Sequence, residues 1–162
     1  MDELRPTDSA EWVATLPVGN SAEDRFVELL RGMMPGAVIT QTRGKSGRDV
    51  VVTWRGVTKR YEVKGDTNET SPNVVVEVSQ KPLRGGEQAP TGVCATDADY
   101  YVMVTRKATY VCVTAMLYGL VYGRTPTPMG EGKCTMGVLV PKAVLECLRY
   151  VKTYRVEWTP PA

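Results

Sequence analysis

The stretch from Asp49 to Lys64 constrains this chain more than any other. Asp49-Val50-Val51-Val52-Thr53-Trp54 and Val57-Thr58-Lys59-Arg60-Tyr61-Glu62-Val63-Lys64 are rich in β-branched and aromatic residues, and only Arg55-Gly56 separates them. Two such runs joined by two residues, glycine second, read as a hairpin closed by a type I′ turn. Trp54 then faces Val57, and the numbers of facing residues keep a constant sum. Counted outward, Asp49 faces Glu62 on one side of the sheet, with Cβ atoms about 4.5–5.5 Å apart. Lys64, two residues beyond Glu62, shares that face because side chains alternate along a strand. Facing carboxylates repel unless positive charge lies between them. Lys64 can supply it as a plain ion-pair cluster. A divalent cation can supply it too, since hard oxygen ligands at this spacing suit Mg²⁺ or Mn²⁺.

Composition narrows the chemistry. The 162 residues contain no histidine. That removes Ser-His-Asp and Cys-His catalysis, histidine-ligated zinc and any nuclease with a histidine base. Proton transfer must use carboxylates, lysine, tyrosine, cysteine or metal-activated water. Cys94, Cys112, Cys134 and Cys147 form no C-x-x-C pair, so they read as thiols in a reducing compartment rather than a zinc ribbon. A start of Met1-Asp2-Glu3-Leu4-Arg5 lacks the order of a signal peptide, and no apolar run nears the roughly 18 residues of a membrane span. The expectation is one cytoplasmic domain over residues 1–162, with 1–19 peripheral and no membrane contact. Net charge is +2, unevenly spread: residues 1–28 are acidic, and the rest is basic. The densest basic stretch runs from Arg43 to Lys64, either a solvated sheet face or a polyanion surface.

Along the chain, Ser21 reads as the N-cap of a helix over Ala22 to Met33, ended by Pro35-Gly36. A short helical turn is expected around Ser9 to Leu16. Strands are expected at Ala37 to Thr42, across the hairpin, and at Asn73 to Ser79, Asp99 to Thr105, Thr109 to Val113 and Gly137 to Val140. Gln80 to Ala95 and Gly123 to Gly132 read as loops. Ala115 to Tyr122 and Pro141 to Val151 read as helices, and Tyr154 to Trp158 as an edge strand. Trp12, Trp54 and Trp158 read as packing residues, and Asp97 and Asp99 as turn caps. The class is α/β.

Asp49 followed by Glu62-Val63-Lys64 resembles the Asp…(Asp/Glu)-x-Lys motif of the PD-(D/E)xK nuclease superfamily. Ala22-Glu23-Asp24-Arg25-Phe26-Val27-Glu28-Leu29-Leu30 is similar to the first helix of archaeal Holliday-junction resolvases within it. Thr91-Gly92-Val93 and Ala98-Asp99-Tyr100-Tyr101-Val102 resemble segments of virus-encoded members. The likeness covers residues 20–66, and Arg48 stands where a proline often precedes the aspartate. It implies a restriction-endonuclease-like mixed central sheet flanked by helices. It implies a Mg²⁺- or Mn²⁺-dependent DNA endonuclease that resolves four-way junctions as a homodimer, in the host cytoplasm if virus-encoded. The alternatives are an exonuclease or a repair- or restriction-type nuclease on the same fold, or a DNA-binding module without activity. By the same resemblance, Asp49, Glu62 and the Val63 carbonyl hold a metal against the scissile phosphate. Lys64 orients the attacking water, and Glu23 binds a second ion.

Gly44-Lys45-Ser46 lacks the upstream glycine of a phosphate-binding loop, since Ile39 stands in its place, and a strand follows. Arg43, Lys45, Ser46 and Arg48 are better read as DNA contacts flanking the metal site. Gln80 is either a further DNA contact or an exposed strand end.

Overall fold

The computed structural model describes residues 10–42, 49–68, 70–81, 86–129 and 134–161, with side chains from Pro17 onward. The expected hairpin is present. β2 (Val50–Trp54) and β3 (Val57–Asp66) pair from Trp54↔Val57 to Val50↔Tyr61. Arg55 and Gly56 have φ of 50° and 77°, the doubly left-handed backbone of a type I′ turn. β1 (Val38–Gln41) adds antiparallel to β2. On its other side β3 lies parallel to β6 (Tyr100–Thr105), followed antiparallel by β7 (Thr109–Val113) and β10 (Val151–Tyr154). The result is a mixed six-stranded sheet in the order β1-β2-β3-β6-β7-β10, with helices against it.

A parallel pair needs a crossover, and here the crossover builds a second sheet. β4 (Asn73–Gln80) is a strand as expected, but it leaves the first sheet. It joins β5 (Ala89–Pro90), β9 (Thr135–Pro141) and β8 (Thr127–Met129) in the order β5-β4-β9-β8. The expected loops at 80–95 and 123–132 thus each contribute a short strand. A 3-10 turn at Gly92–Cys94 closes onto β4. Gly92 has φ +52°, and a Cβ there would lie 2.4 Å from the Glu77 carbonyl oxygen, so only glycine permits the approach.

α1 (Ala10–Met33) covers one face of the six-stranded sheet. Ala22, Phe26, Val27 and Leu30 meet Val50, Val52, Tyr61, Val63, Val102 and Val104. The opposite face, through Tyr101, Met103, Tyr110 and Cys112, packs on Val74, Val76, Val138 and Val140 of the second sheet. α2 (Thr114–Val121) and α3 (Lys142–Cys147) close this second core with Leu117, Val121 and Leu145. β6 is buried on both sides, which explains its nearly unbroken apolar run. None of the four cysteines forms a disulfide.

Three expected boundaries move. α1 begins at Ala10 and runs through Pro17, so Ser21 is not an N-cap. Its hydroxyl instead accepts a hydrogen bond of 3.0 Å from the Trp158 indole, and that long-range packing outweighs the local capping signal. α3 stops at Cys147, and the chain turns through Leu148 into β10. The terminal edge strand is therefore Val151–Tyr154, while Trp158 folds back onto α1. Asp97 and Asp99 do more than cap turns: they hold Arg60.

Gly65 makes the seating of α1 possible. A Cβ there would lie 3.1 Å from both Ala22 Cβ and the Trp158 ring. Gly65→Val is expected to destabilise the fold by about 1–3 kcal/mol through overpacking, read as a lower urea midpoint. An unchanged midpoint would show that α1 does not rest on this strand.

Candidate active site

The β2–β3 ladder ends one residue before Asp49, and that irregularity shapes the site. The Asp49 amide donates to the Tyr61 carbonyl at 2.9 Å, and its own carbonyl accepts from Thr42 at 2.8 Å. Its carboxylate does not simply stand facing Glu62 on the sheet surface. It turns in toward β3, where Oδ2 accepts the Val63 amide at 2.7 Å. Three backbone contacts therefore hold Asp49. N–H and C=O of one extended residue point to the same strand edge, so the Val63 carbonyl is directed to this edge as well.

Glu62 and Lys64 share the face opposite Tyr61 and Val63, as alternation requires. Glu62 is only 5% exposed, and its Oε1 lies 2.9 Å from Lys64 Nζ. Thr96 donates to its other oxygen at 3.4 Å. Burial opposes the charge on Lys64, but the Tyr101 phenol and the carboxylates of Glu62 and Glu77 outweigh it and hold the ammonium above the ordinary lysine range. Asp49 behaves in the opposite way. Burial and then the Glu62 charge push its carboxyl up to about 6, against the opposing pull of the Val63 amide and Lys64. The repulsion expected between the two acids is present.

This donor set suits a hard divalent cation: two carboxylates, one held up by burial and by the other's charge, with a backbone carbonyl at the same edge. Mg²⁺ commonly takes one or two carboxylates and completes its shell with water and phosphate. Among the described residues no three acidic or cysteine side chains converge at metal-binding spacing. Asp49 and Glu62 therefore form the core of the candidate site. Glu23 is buried on α1, 7% exposed, beside the Ala22 that packs on Gly65. Gln80 ends β4 in the second sheet, paired with Ala89 and Thr135. Arg43, Lys45, Ser46 and Arg48 lie outside the described residues.

The described part of the basic stretch is not a bare cationic surface. Arg60 donates from its amide (2.8 Å) and its guanidinium to Asp99 and reaches Asp97. Burial opposes ionisation of Asp99, yet these Arg60 contacts hold its carboxyl below the usual range. Arg55 stacks over Trp54 at 4.3 Å, and Lys59 lies 5.9 Å from the Tyr100 ring. Sequence reasoning missed Thr96, Glu77 and Tyr101 as neighbours of the cluster. Tyr101 sits beside Glu62 in the parallel register, fully buried. Only the parallel β3–β6 pairing reveals that proximity, and nothing local announces it.

The raised Asp49 carboxyl fixes a pH dependence. Its folded-state value near 6 exceeds the ordinary aspartate value of 3.8, so the folded protein disfavours the ionised form. The penalty is absent below pH 3.8, grows toward pH 6 and is complete above it. Asp49→Asn is expected to stabilise the metal-free protein by roughly 1–3 kcal/mol at neutral pH and to give no gain near pH 3.8. Denaturation midpoints in EDTA at the two pH values check it; an equal gain at both would remove the charge argument.

No family model matches the chain, and no curated protein sequence matches it either. Among solved structures, a bacterial homing endonuclease, I-Ssp6803I, is similar in fold. Its TM-score is 0.53 at 16% identity, over 77% of this chain and 76% of that one. The mixed six-stranded sheet with its flanking helices is thus a nuclease-like α/β fold.

Proposed function

We propose that the chain is a divalent-metal-dependent DNA endonuclease whose site is Asp49, Glu62, Val63 and Lys64. The observation that carries this is the Asp49 carboxylate fixed on the Val63 amide at 2.7 Å, its charge opposed by neighbouring Glu62. A fold similar to that of a homing endonuclease supports the same reading. Asp49 and Glu62, with the Val63 carbonyl, are the residues that would hold Mg²⁺ or Mn²⁺. Bound there, the cation would supply Lewis-acid polarisation of the phosphate and acidify a water.

The chain's own residues do the rest. Hydrolysis adds water oxygen to phosphorus and breaks the bond to the leaving strand oxygen, which takes up a proton. Lys64 is held as an ammonium 2.9 Å from Glu62. From there Lys64 would orient the attacking water and offset charge on the phosphate. Thr96 keeps Glu62 oriented from the other side. By the helix resemblance, Glu23 would serve a second ion. That resemblance also extends the substrate to four-way junctions cut by a homodimer.

DNA cleavage is expected with Mg²⁺ or Mn²⁺, and binding without appreciable turnover with Ca²⁺, whose looser coordination acidifies water less. Glu62→Gln is expected to lower the cleavage rate by about 10²–10³-fold. Assays on a four-way junction, a linear duplex and a single strand identify the substrate. Cleavage that survives EDTA, or that Glu62→Gln leaves intact, overturns the assignment.

A further inference from the structure

One face of the six-stranded sheet changes character at Glu62. Toward β6 and β7 it lies under the second sheet, and Tyr101, Met103, Tyr110 and Cys112 are at most 2% exposed. Toward β1 it is open. The registers Thr40↔Val51↔Arg60 and Val38↔Thr53↔Thr58 place six side chains in two rows on the same face as Glu62 and Lys64. Thr40, Thr53 and Thr58 are exposed, and Val38 is 67% exposed. The reverse face of these strands is sealed by α1 through Ile39, Val50, Val52 and Tyr61, so the open rows have a rigid backing.

We infer that this open face of β1, β2 and β3 is the platform over which the DNA backbone leaves the cleavage site. The inference rests on the nuclease reading and names the surface that reading needs. A strand with a phosphate at Asp49 and Glu62 cannot continue across β6 on this face, because the second sheet occupies it. The open direction is along β3 toward Thr58 and across to β1. That area measures about 14 Å by 10 Å, room for about four nucleotide steps of one strand at 3.4 Å each.

The chemistry of the rows fits a polyanion. None of the six side chains is a carboxylate. The flanking acids Asp97 and Asp99 are drawn onto Arg60, at 3.4 and 3.5 Å. The Thr53 and Thr58 hydroxyls meet each other at 2.9 Å; one donates, which leaves the other's proton for a phosphate oxygen. Val38 offers apolar contact to sugar. The platform therefore guides a strand by hydroxyl and van der Waals contact, and the phosphate at the metal supplies the main charge interaction. Such contacts position the backbone without reading sequence.

The test reverses one charge on this face. Binding of a labelled DNA duplex is measured in Ca²⁺ for Thr53→Glu, Thr53→Lys, Thr40→Glu and Thr40→Lys. The control is the same pair of changes at Ala143, an exposed residue on α3 beside the opposite sheet edge. On the platform, glutamate is expected to weaken binding about 3–10-fold, and lysine to tighten it similarly while steepening the log K against log salt slope by about 0.9. Both changes at Ala143 are expected to leave affinity within about twofold, since charges beyond a Debye length are screened. Glutamate and lysine acting in the same direction, or no larger effect than at Ala143, overturns the platform. So does a wild-type dimer that Thr53→Glu splits into monomers, because the face is then covered by a second copy. A wild type that neither binds nor cuts DNA overturns the nuclease reading itself. A wild type that cuts while the platform variants match the control overturns only the platform.

Discussion

The hydrogen bond from the Val63 amide to the Asp49 carboxylate is the joint on which the site depends. It forms where the hairpin ladder has run out, so the strand edge beyond β2 offers a donor with no ladder partner among the described residues. A buried amide left unpaired is costly, and Asp49 meets that need with a charged acceptor. In return the amide keeps the aspartate beside Glu62, where its charge is otherwise opposed. Structural satisfaction and chemical readiness reside in one contact. The same carboxylate cannot be fully content in the metal-free protein, and that unrelieved repulsion is what a cation would relieve.

The two cores divide the labour around that joint. α1 fixes the hairpin from below through Phe26, Leu30 and Tyr61, while the second sheet presses on β6 from above through Val74 and Val76. Glu62 and Lys64 sit at the seam in direct contact, Glu62 buried and Lys64 partly exposed. Tyr101 and Glu77 reach the seam from the covered side. Thr96 reaches it from the loop that also clamps Arg60.

The hairpin, its register and its turn were legible because they depend on two adjacent residues, Arg55 and Gly56, and on alternation. The grouping of Asp49, Glu62 and Lys64 followed from that arithmetic alone. The inward turn of the Asp49 side chain did not, because alternation says nothing about a ladder's end. The helix start was hidden because the group that engages Ser21 lies 137 residues away in sequence. β4 alternates identically whichever sheet it joins, so its departure into a second sheet left no local mark. The commitment of Arg60 to Asp97 and Asp99 is equally non-local, and charge density alone therefore overstated how much bare cationic surface this stretch presents.

The Trp158 contact has a temporal meaning as well as a spatial one. The indole rests on Gly65 and bonds Ser21, so it fastens the helix to the strand that carries Glu62 and Lys64. During synthesis the helix and hairpin emerge before the residue that fastens them. A nascent chain that has not reached residue 158 already holds Asp49, Glu62 and Lys64 and lacks the wedge that seats α1 on β3. Bracing of the hairpin by α1 is thereby tied to synthesis through residue 158, and long-range closure of this kind also slows folding. A ribosome-bound fragment that stops short of Trp158 carries Asp49, Glu62 and Lys64 without their final bracing.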